Sequence, residues 1–417
     1  MPKKTLLFAP AAFNLAETTR MIEIAKGVRQ HPDASRVFAI QFISDGGEFE
    51  RLIEEEGFAL HKMEPRLTPE KIEFLYKVDK GEKFGSGFTK EETIVRVENE
   101  KAYLQALQPT AVLTGSYVTI PLTCQILGIP LVWTMQSTWL EGFFAHGAGM
   151  TDTIKFKPAK KIADWVVFGF INVWMRVGIL NVLNKVAKQY GVKGFPSIFD
   201  YWSGDLNMVA EPAEFTDAVL PPNHYFIGPL MAQQDFPIPE TIQNLPHDKP
   251  LIYFAMGSSG TPQIVAHIVE SFAGKPYRVI APVKNFLDKV PNVTIPENVL
   301  VTDWLPAHKV NKLVDLSVIH GGVGTIMTAA YAGKPVVGIG MQPEQDANIA
   351  ALVRKGFAIR VPKSKDPSLK VQAAIAQLLY DEEAKQKAAA FALVMAKWDG
   401  PKMAADLLYE KFGCSDA

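Results

Sequence analysis

The chain has 417 residues, 48% hydrophobic and 21% charged, with 43 Lys and Arg against 44 Asp and Glu. That length exceeds what one hydrophobic core sustains and predicts two domains of roughly 200 residues each. The balanced charge argues against a nucleic-acid partner, and the ordinary composition argues against a disordered majority. Cys124 and Cys414 lie far apart without metal-ligand spacing, so a reducing, cytoplasmic location is expected in place of a disulfide framework.

From the start, Lys3 and Lys4 before an apolar run imitate a signal peptide. The run is short, contains Pro10 and breaks at Asn14 and Glu17, so it reads as a first strand, 4–10. Met21, Ile22, Ile24 and Ala25 give residues 16–28 helical spacing. A buried strand is predicted at 36–44, a turn at Asp45-Gly46-Gly47 with a helix after it, and two more strands at 111–115 and 129–135 around a helical stretch. Strand–helix alternation of this kind implies a parallel sheet with right-handed crossovers.

Residues 155–183 combine Lys155, Lys157, Lys160 and Lys161 with a long apolar stretch interrupted by Asp164, Asn172, Arg176 and Asn181. A spanning helix needs about 20 mostly apolar residues. The expectation is a buried helix lining a pocket, with a surface that touches a greasy ligand or makes peripheral membrane contact as the other reading. Residues 224–250 hold five prolines and no sustained period, which marks interdomain linker. Alternation then restarts, with strands predicted at 250–257, 277–283, 299–304, 316–322, 335–340 and 357–362 and a helical close. The reading is two consecutive doubly wound α/β domains with a cleft between them, and such sheets bind ligands beyond the carboxyl ends of their strands.

The suspicious segments of the second half sit at those ends. MGSSGT (256–261) and HGGVGT (320–325) each link a strand to a helix. Gly257, Gly322 and Gly324 let backbone N–H groups approach a ligand, and a helix N-terminus adds about half a positive charge. Ser258, Ser259 and Thr325 add hydroxyls, and His320 can donate to an anion. This is a diphosphate cradle without a Walker lysine. One Gly-rich turn alone would be a plain connection; two in one domain, one led by histidine, argue for a ligand. Glu344 beside Gln345 sets an acceptor-only group next to an amide that both gives and takes, which suits sugar hydroxyls, although a solvated helix start explains the pair equally well. Trp304, past another strand, could stack on a base or fill core.

Taken in order, Gly257-Ser258, Trp304-Leu305-Pro306, the run His320 to Thr325, and Glu344-Gln345 with Asn348 resemble the second domain of the family-1 glycosyltransferases of the GT-B fold, the group of UDP-glycosyltransferases and macrolide glycosyltransferases. FIGPL (226–230) is similar to the segment that ends the family's acceptor domain. The resemblance implies two Rossmann-like domains facing across a cleft: 1–228 for the acceptor, 229–249 as linker, 250–395 for the donor, and a C-terminal helix, 396–417, packing back towards the first domain. It implies that Trp304 stacks on the nucleobase, His320 and Thr325 hold the diphosphate, and Glu344 and Gln345 bind the sugar. It also implies inverting, metal-independent hexosyl transfer, with a nucleotide diphosphate sugar as co-substrate and no cofactor. No Asp-x-Asp occurs, in agreement.

The first domain departs from the family pattern. Where Pro-x-x-Gly-His would supply a base, the chain has Pro10-Ala11-Ala12-Phe13-Asn14, and the partner aspartate's position is Gly115. An amide has no useful basicity near neutral pH. Glu17 and His146 are the replacement candidates, against ordinary roles as a helix-start carboxylate and a surface loop residue; an acidic acceptor would need no base. Thr328 stands where the family commonly has a ribose-binding glutamate, leaving room for TDP-linked as well as UDP-linked donors such as UDP-glucose. Trp139, Phe143 and Phe144, with Trp165, Phe168, Phe170 and Trp174, suggest an apolar pocket for a small-molecule or lipid acceptor. A nucleotide-sugar epimerase and a catalytically silent nucleotide-sugar-binding protein are the competing readings, and monomer and homodimer stay open.

Overall fold

The computed structural model describes residues 2–79, 82–151, 154–232, 237–257 and 260–413. It divides into two compact units, one of Met1–Ala213, Asp217–Leu230 and Asp399–Ala417, the other of Glu214–Thr216 and Met231–Trp398.

The first unit is built on strands β1 (Lys4–Ala9), β2 (Phe38–Ser44), β3 (Leu60–Lys62), β4 (Ala111–Thr114), β5 (Leu131–Met135), β6 (Leu206–Val209) and β7 (His224–Phe226). All pair in parallel, in the order β3-β2-β1-β4-β5-β6-β7. The near-continuous apolar runs of β1, β4 and β5 follow from burial on both faces. Three strands were not expected from sequence. β3 and β7 are three-residue edges, too short to show a period, and β6 carries a buried Asn207 whose amide is satisfied by Gly204 and Asn223. The order reverses between β1 and β4, so the carboxyl ends of that pair form the switch point where doubly wound sheets take ligands.

The C-terminal helix Gly400–Leu408 packs on the first helix, Leu15–Gln30, and Leu408 and Phe412 join this unit's core. Gly27 permits the approach, since a Cβ there would lie 2.1 Å from the Pro401 carbonyl oxygen. His31 Nε2 meets Asp406 Oδ1 at 2.8 Å across the same contact.

The second unit has strands β8 (Leu251–Ala255), β9 (Arg278–Ala281), β10 (Val299–Val301), β11 (Leu316–Ile319), β12 (Val336–Gly338) and β13 (Ala358–Arg360). These too are all parallel, in the order β10-β9-β8-β11-β12-β13, with the switch point between β8 and β11. The proline-rich stretch is not free linker throughout. β7 occupies its start, and Glu240–Gln243 is a short helix whose Ile242 is buried in the second core.

The helix at 157 differs from its expectation as a buried element. Within Lys157–Met175 only Ile171 is buried, because the unit's core reaches one face of the helix and leaves the other open.

Candidate active site

In the second unit, β8 and β11 are neighbours with Ala255 opposite Ile319, so Met256-Gly257 and His320-Gly321-Gly322 leave the sheet side by side. Gly322 caps the helix Val323–Tyr331. His320, 6% exposed, is held between two glycines. A Cβ on Gly257 would lie 2.4 Å from His320 Cε1, and one on Gly322 would lie 2.5 Å from its Nε2. Gly257 also has φ of +52°, which a side chain would strain. The glycines therefore seat the imidazole as well as bringing backbone close to a ligand.

Burial pushes the His320 imidazole down to about 4, with the Ala255 backbone pulling the other way in favour of the charged form. The ring is neutral at pH 7, with one N–H, and its buried Nδ1 has no partner. A buried polar atom left over at a switch point, beside a helix N-terminus, is a binding hint.

The helix Pro343–Lys355 presses on the same loop. Asn348 Nδ2 donates to the Gly321 carbonyl at 3.1 Å, and a Cβ on Gly321 would lie 2.6 Å from the Gln345 carbonyl oxygen. Gln345 is buried: its Oε1 accepts from Met341 N at 3.0 Å and its Nε2 donates to Gln342 Oε1 at 2.7 Å. Its amide thus shapes the turn before the helix. Glu344 is half-buried in the first turn of that helix. Thr325 is half-buried and Gly324 exposed at the start of helix 323–331. Thr328 is buried with its hydroxyl donating to the Gly324 carbonyl at 2.7 Å. Trp304, 52% exposed, follows edge strand β10 on the same rim. Ser258 and Ser259 lie outside the described residues.

At the first unit's switch point the structure brings Asn14, Glu17 and Gly115 together. Asn14 caps the first helix, Oδ1 accepting from Glu17 N at 3.3 Å. Glu17 points inward, 1% exposed. Its Oε1 accepts from Ser116 N at 2.8 Å, Gly115 N at 3.1 Å and Ala11 N at 3.3 Å, while its buried Oε2 has no partner. Burial pushes the carboxyl up to about 7, although the Arg20 charge and the three N–H donors pull it down. That value suits a group that takes a proton near neutral pH. His146 is placed elsewhere. It is an exposed residue ending the short helix Glu141–Ala145, its Nδ1 2.6 Å from the Gly142 carbonyl and its ring near Asp164.

Sequence reasoning missed a second buried acid. Glu211, past β6, accepts from Ser137 N at 3.1 Å, and burial pushes it up to about 7. Arg20 acts electrostatically on both Glu17 and Glu211. The available signal was an inward-facing arginine one turn after Glu17, and a carboxylate directly after an apolar strand.

The expected aromatic pocket splits. Trp139 and Trp202 lie 5.2 Å apart, Phe144 and Phe199 5.4 Å, and Phe168 and Phe199 6.0 Å, forming one cluster. Phe143 packs edge-on to Phe144 and Trp174 against Phe84, whereas Trp165 and Phe170 are 75% and 68% exposed.

Two parallel, doubly wound units with a C-terminal helix returned to the first define the GT-B fold of nucleotide-sugar glycosyltransferases. The chain aligns over its full length with the calicheamicin glycosyltransferase CalG4, TM-score 0.67 at 17% identity, covering 100% of both chains. The spinosyn forosaminyltransferase SpnP gives 0.70 at 14% identity, covering 99% of this chain and 100% of that one. Residues 280–409 match the family described as erythromycin biosynthesis protein CIII-like, C-terminal domain. A PGL/p-HBAD biosynthesis glycosyltransferase of Mycobacterium tuberculosis is 25% identical over 395 residues, 93% of this chain and 87% of that protein. Demethyllactenocin mycarosyltransferase of Streptomyces fradiae is 25% identical over 229 residues, 54% and 49% of the two chains. The chain is a glycosyltransferase, similar in sequence and fold to macrolide-type members of family 1.

Proposed function

We propose that the protein moves a hexose from a uridine or thymidine diphosphate sugar to a hydrophobic small molecule or lipid, with inversion and without a metal ion. The carrying observation is His320, seated between Gly257 and Gly322 at the β8/β11 switch point with Nδ1 unpartnered beside the start of helix 323–331. Backbone N–H groups there, with Thr325 and Ser258 and Ser259, would receive the leaving diphosphate. Trp304 would stack on the base. Glu344 is assigned to sugar hydroxyls, and Gln345 to shaping that turn. The Thr328 hydroxyl donates its proton to the Gly324 carbonyl, so it has no proton left for a ribose 2′-hydroxyl and no carboxylate to offer it.

In this reading the acceptor oxygen attacks the anomeric carbon from the face opposite the diphosphate. The sugar–diphosphate bond breaks with its electron pair leaving on the diphosphate, and the acceptor proton passes to Glu17. The unpartnered Oε2 and the raised affinity for a proton support Glu17 over His146 as that base.

The test incubates the protein with uridine and thymidine diphosphate sugars and a panel of lipophilic phenols and alcohols, with and without EDTA. Free nucleoside diphosphate, glycosylated mass and anomeric configuration are followed together. A retained configuration, or loss of activity in EDTA, would contradict the mechanism; nucleotide release without any glycosylated product would contradict the acceptor reading.

A further inference from the structure

The helix from Lys157 to Gln189 is continuous for 33 residues and only partly claimed by the protein. Its later part is anchored: Leu180, Leu183, Val186 and Ala187 are buried in the first unit's core. In its first part Phe168 turns inward to Phe199, at 6.0 Å. The opposite face carries Ile162, Trp165, Val166, Phe170, Val173 and Val177, all more than half exposed. Their spacing of three, one, four, three and four residues makes one stripe over four turns, roughly 24 Å long.

Charge around this stripe is one-sided. Residues 155–189 contain seven basic residues, Lys155, Lys157, Lys160, Lys161, Arg176, Lys185 and Lys188, and one acid, Asp164, in a chain whose total is 43 basic to 44 acidic. Asp164 is already engaged by Lys160 at 3.1 Å and by Thr151. Lys155, Lys157 and Lys161 are exposed at one end of the stripe and Arg176 at the other.

We infer that this stripe docks flat on an anionic lipid bilayer. Apolar side chains with two large aromatics would enter the interface, while lysines at its ends reach the phosphates. The helix is long and apolar enough to cross a membrane, but its last turns are fixed in the first unit's core and Phe168 and Ile171 face inward, which favours lying on the bilayer over crossing it. A face of this length left to water would cost solubility, and basic ends without acids match a negative surface better than a second copy of the same basic stripe.

The experiment is cosedimentation of the full chain with vesicles of equal parts phosphatidylglycerol and phosphatidylcholine, and with phosphatidylcholine alone, at low and high salt. Binding to the anionic vesicles, weakened by salt and by omitting phosphatidylglycerol, is expected. Trp165→Gln with Phe170→Gln should lower it about tenfold or more, as should Lys155→Glu with Lys157→Glu and Lys161→Glu. All five side chains are exposed, and an unchanged circular-dichroism melt verifies that the variants fold. Absence of vesicle binding, binding that both variants retain, or self-association in solution abolished by the aromatic variant would overturn the proposal. The last would make the stripe an interface between copies.

Discussion

The carboxyl of Glu17 lies against the backbone nitrogen of Gly115, Oε1 accepting at 3.1 Å, in space that a side chain at position 115 would need. A Cβ on Gly115 would come within 3.3 Å of that carboxyl. The carboxylate expected from the end of β4 is thus supplied from the helix after β1, and the site keeps an acid although both expected dyad positions lack one.

If Glu17 takes the acceptor proton, kcat/KM for an alcohol acceptor should rise with pH through about 7, where the buried carboxyl loses its proton. Glu17→Gln should lower it by about 10²–10⁴-fold and flatten that rise. His146→Ala should leave both unchanged. A native profile without the inflection, measured on an alcohol, would remove Glu17 from the mechanism.

Installing the family's pair should fail while Glu17 is present. In Asn14→His with Gly115→Asp, the new side chain meets Glu17 and the Thr134 carbonyl oxygen, 3.0 Å from the Cβ position. A loss of about 1–3 kcal/mol is expected from overpacking, with like charges adding to it. Adding Glu17→Ala should recover much of it in urea melts. Equal stability of double and triple variants would show that the two carboxyls do not compete for one space.

Nucleotide binding should take up a proton at His320. The neutral ring has one N–H, and with the Ala255 backbone favouring the charged form, a phosphate oxygen beside the ring should draw a proton onto its second nitrogen. Bound anion raises the imidazole's affinity for a proton, and binding should weaken as pH rises above neutrality. Calorimetry of a nucleoside diphosphate in two buffers of different ionisation enthalpy measures the uptake, and His320→Ala should abolish it. That variant should also lose roughly 1.5–3 kcal/mol of binding. Buffer-independent heats in the native protein would reject the protonated complex.

Gly257→Ala should impair nucleotide binding at least as much as His320→Ala, because its methyl would fall 2.4 Å from the imidazole. Gly324→Ala meets no heavy atom within 4 Å and should leave the melt unchanged. Loss of binding there with intact stability would report contact with the ligand itself. A Gly257→Ala protein that binds normally would show that His320 needs no such seat.

The two units should respond to pH in opposite senses. Burial raises Asp45 from its ordinary 3.8 to about 6, and from an ordinary 4.5 it raises Glu17 and Glu211 to about 7 and Glu100 to about 8. Between those limits the folded first unit holds more protons than the unfolded chain, so its stability falls as pH rises from about 4 to 8. His320 is depressed from 6.5 to about 4, so its contribution to the second unit is present above 6.5 and lost as pH falls towards 4. Hydrogen exchange of β1 and β11 amides at pH 5 and 8 separates the units. Greater protection of β1 at pH 8 would contradict these shifts.

The long strands, the crossover helices, the histidine-led glycine turn of the second unit and the resemblance to family-1 glycosyltransferases were legible in sequence, since apolar runs and glycine spacing are local signals. Two-sided burial makes β1, β5, β8 and β11 read as continuous apolar segments, and the strand-to-helix glycines follow them directly. Trp304, His320 and Thr325 could be singled out as candidates because each falls in a strand-to-helix connection or the first turn after it. Other features depended on neighbours distant in sequence. Sequence left Glu17 and His146 as equal candidates for the base, and they were separated only when β4 brought Gly115, 98 residues later, against the Glu17 carboxyl and buried it. Gln345 looked like a sugar ligand until packing turned its amide onto Met341 and Gln342. The helix at 157 shows the same limit: hydrophobicity marks a residue as seeking burial, but only the tertiary fold decides which faces the core can reach, and here it reached one.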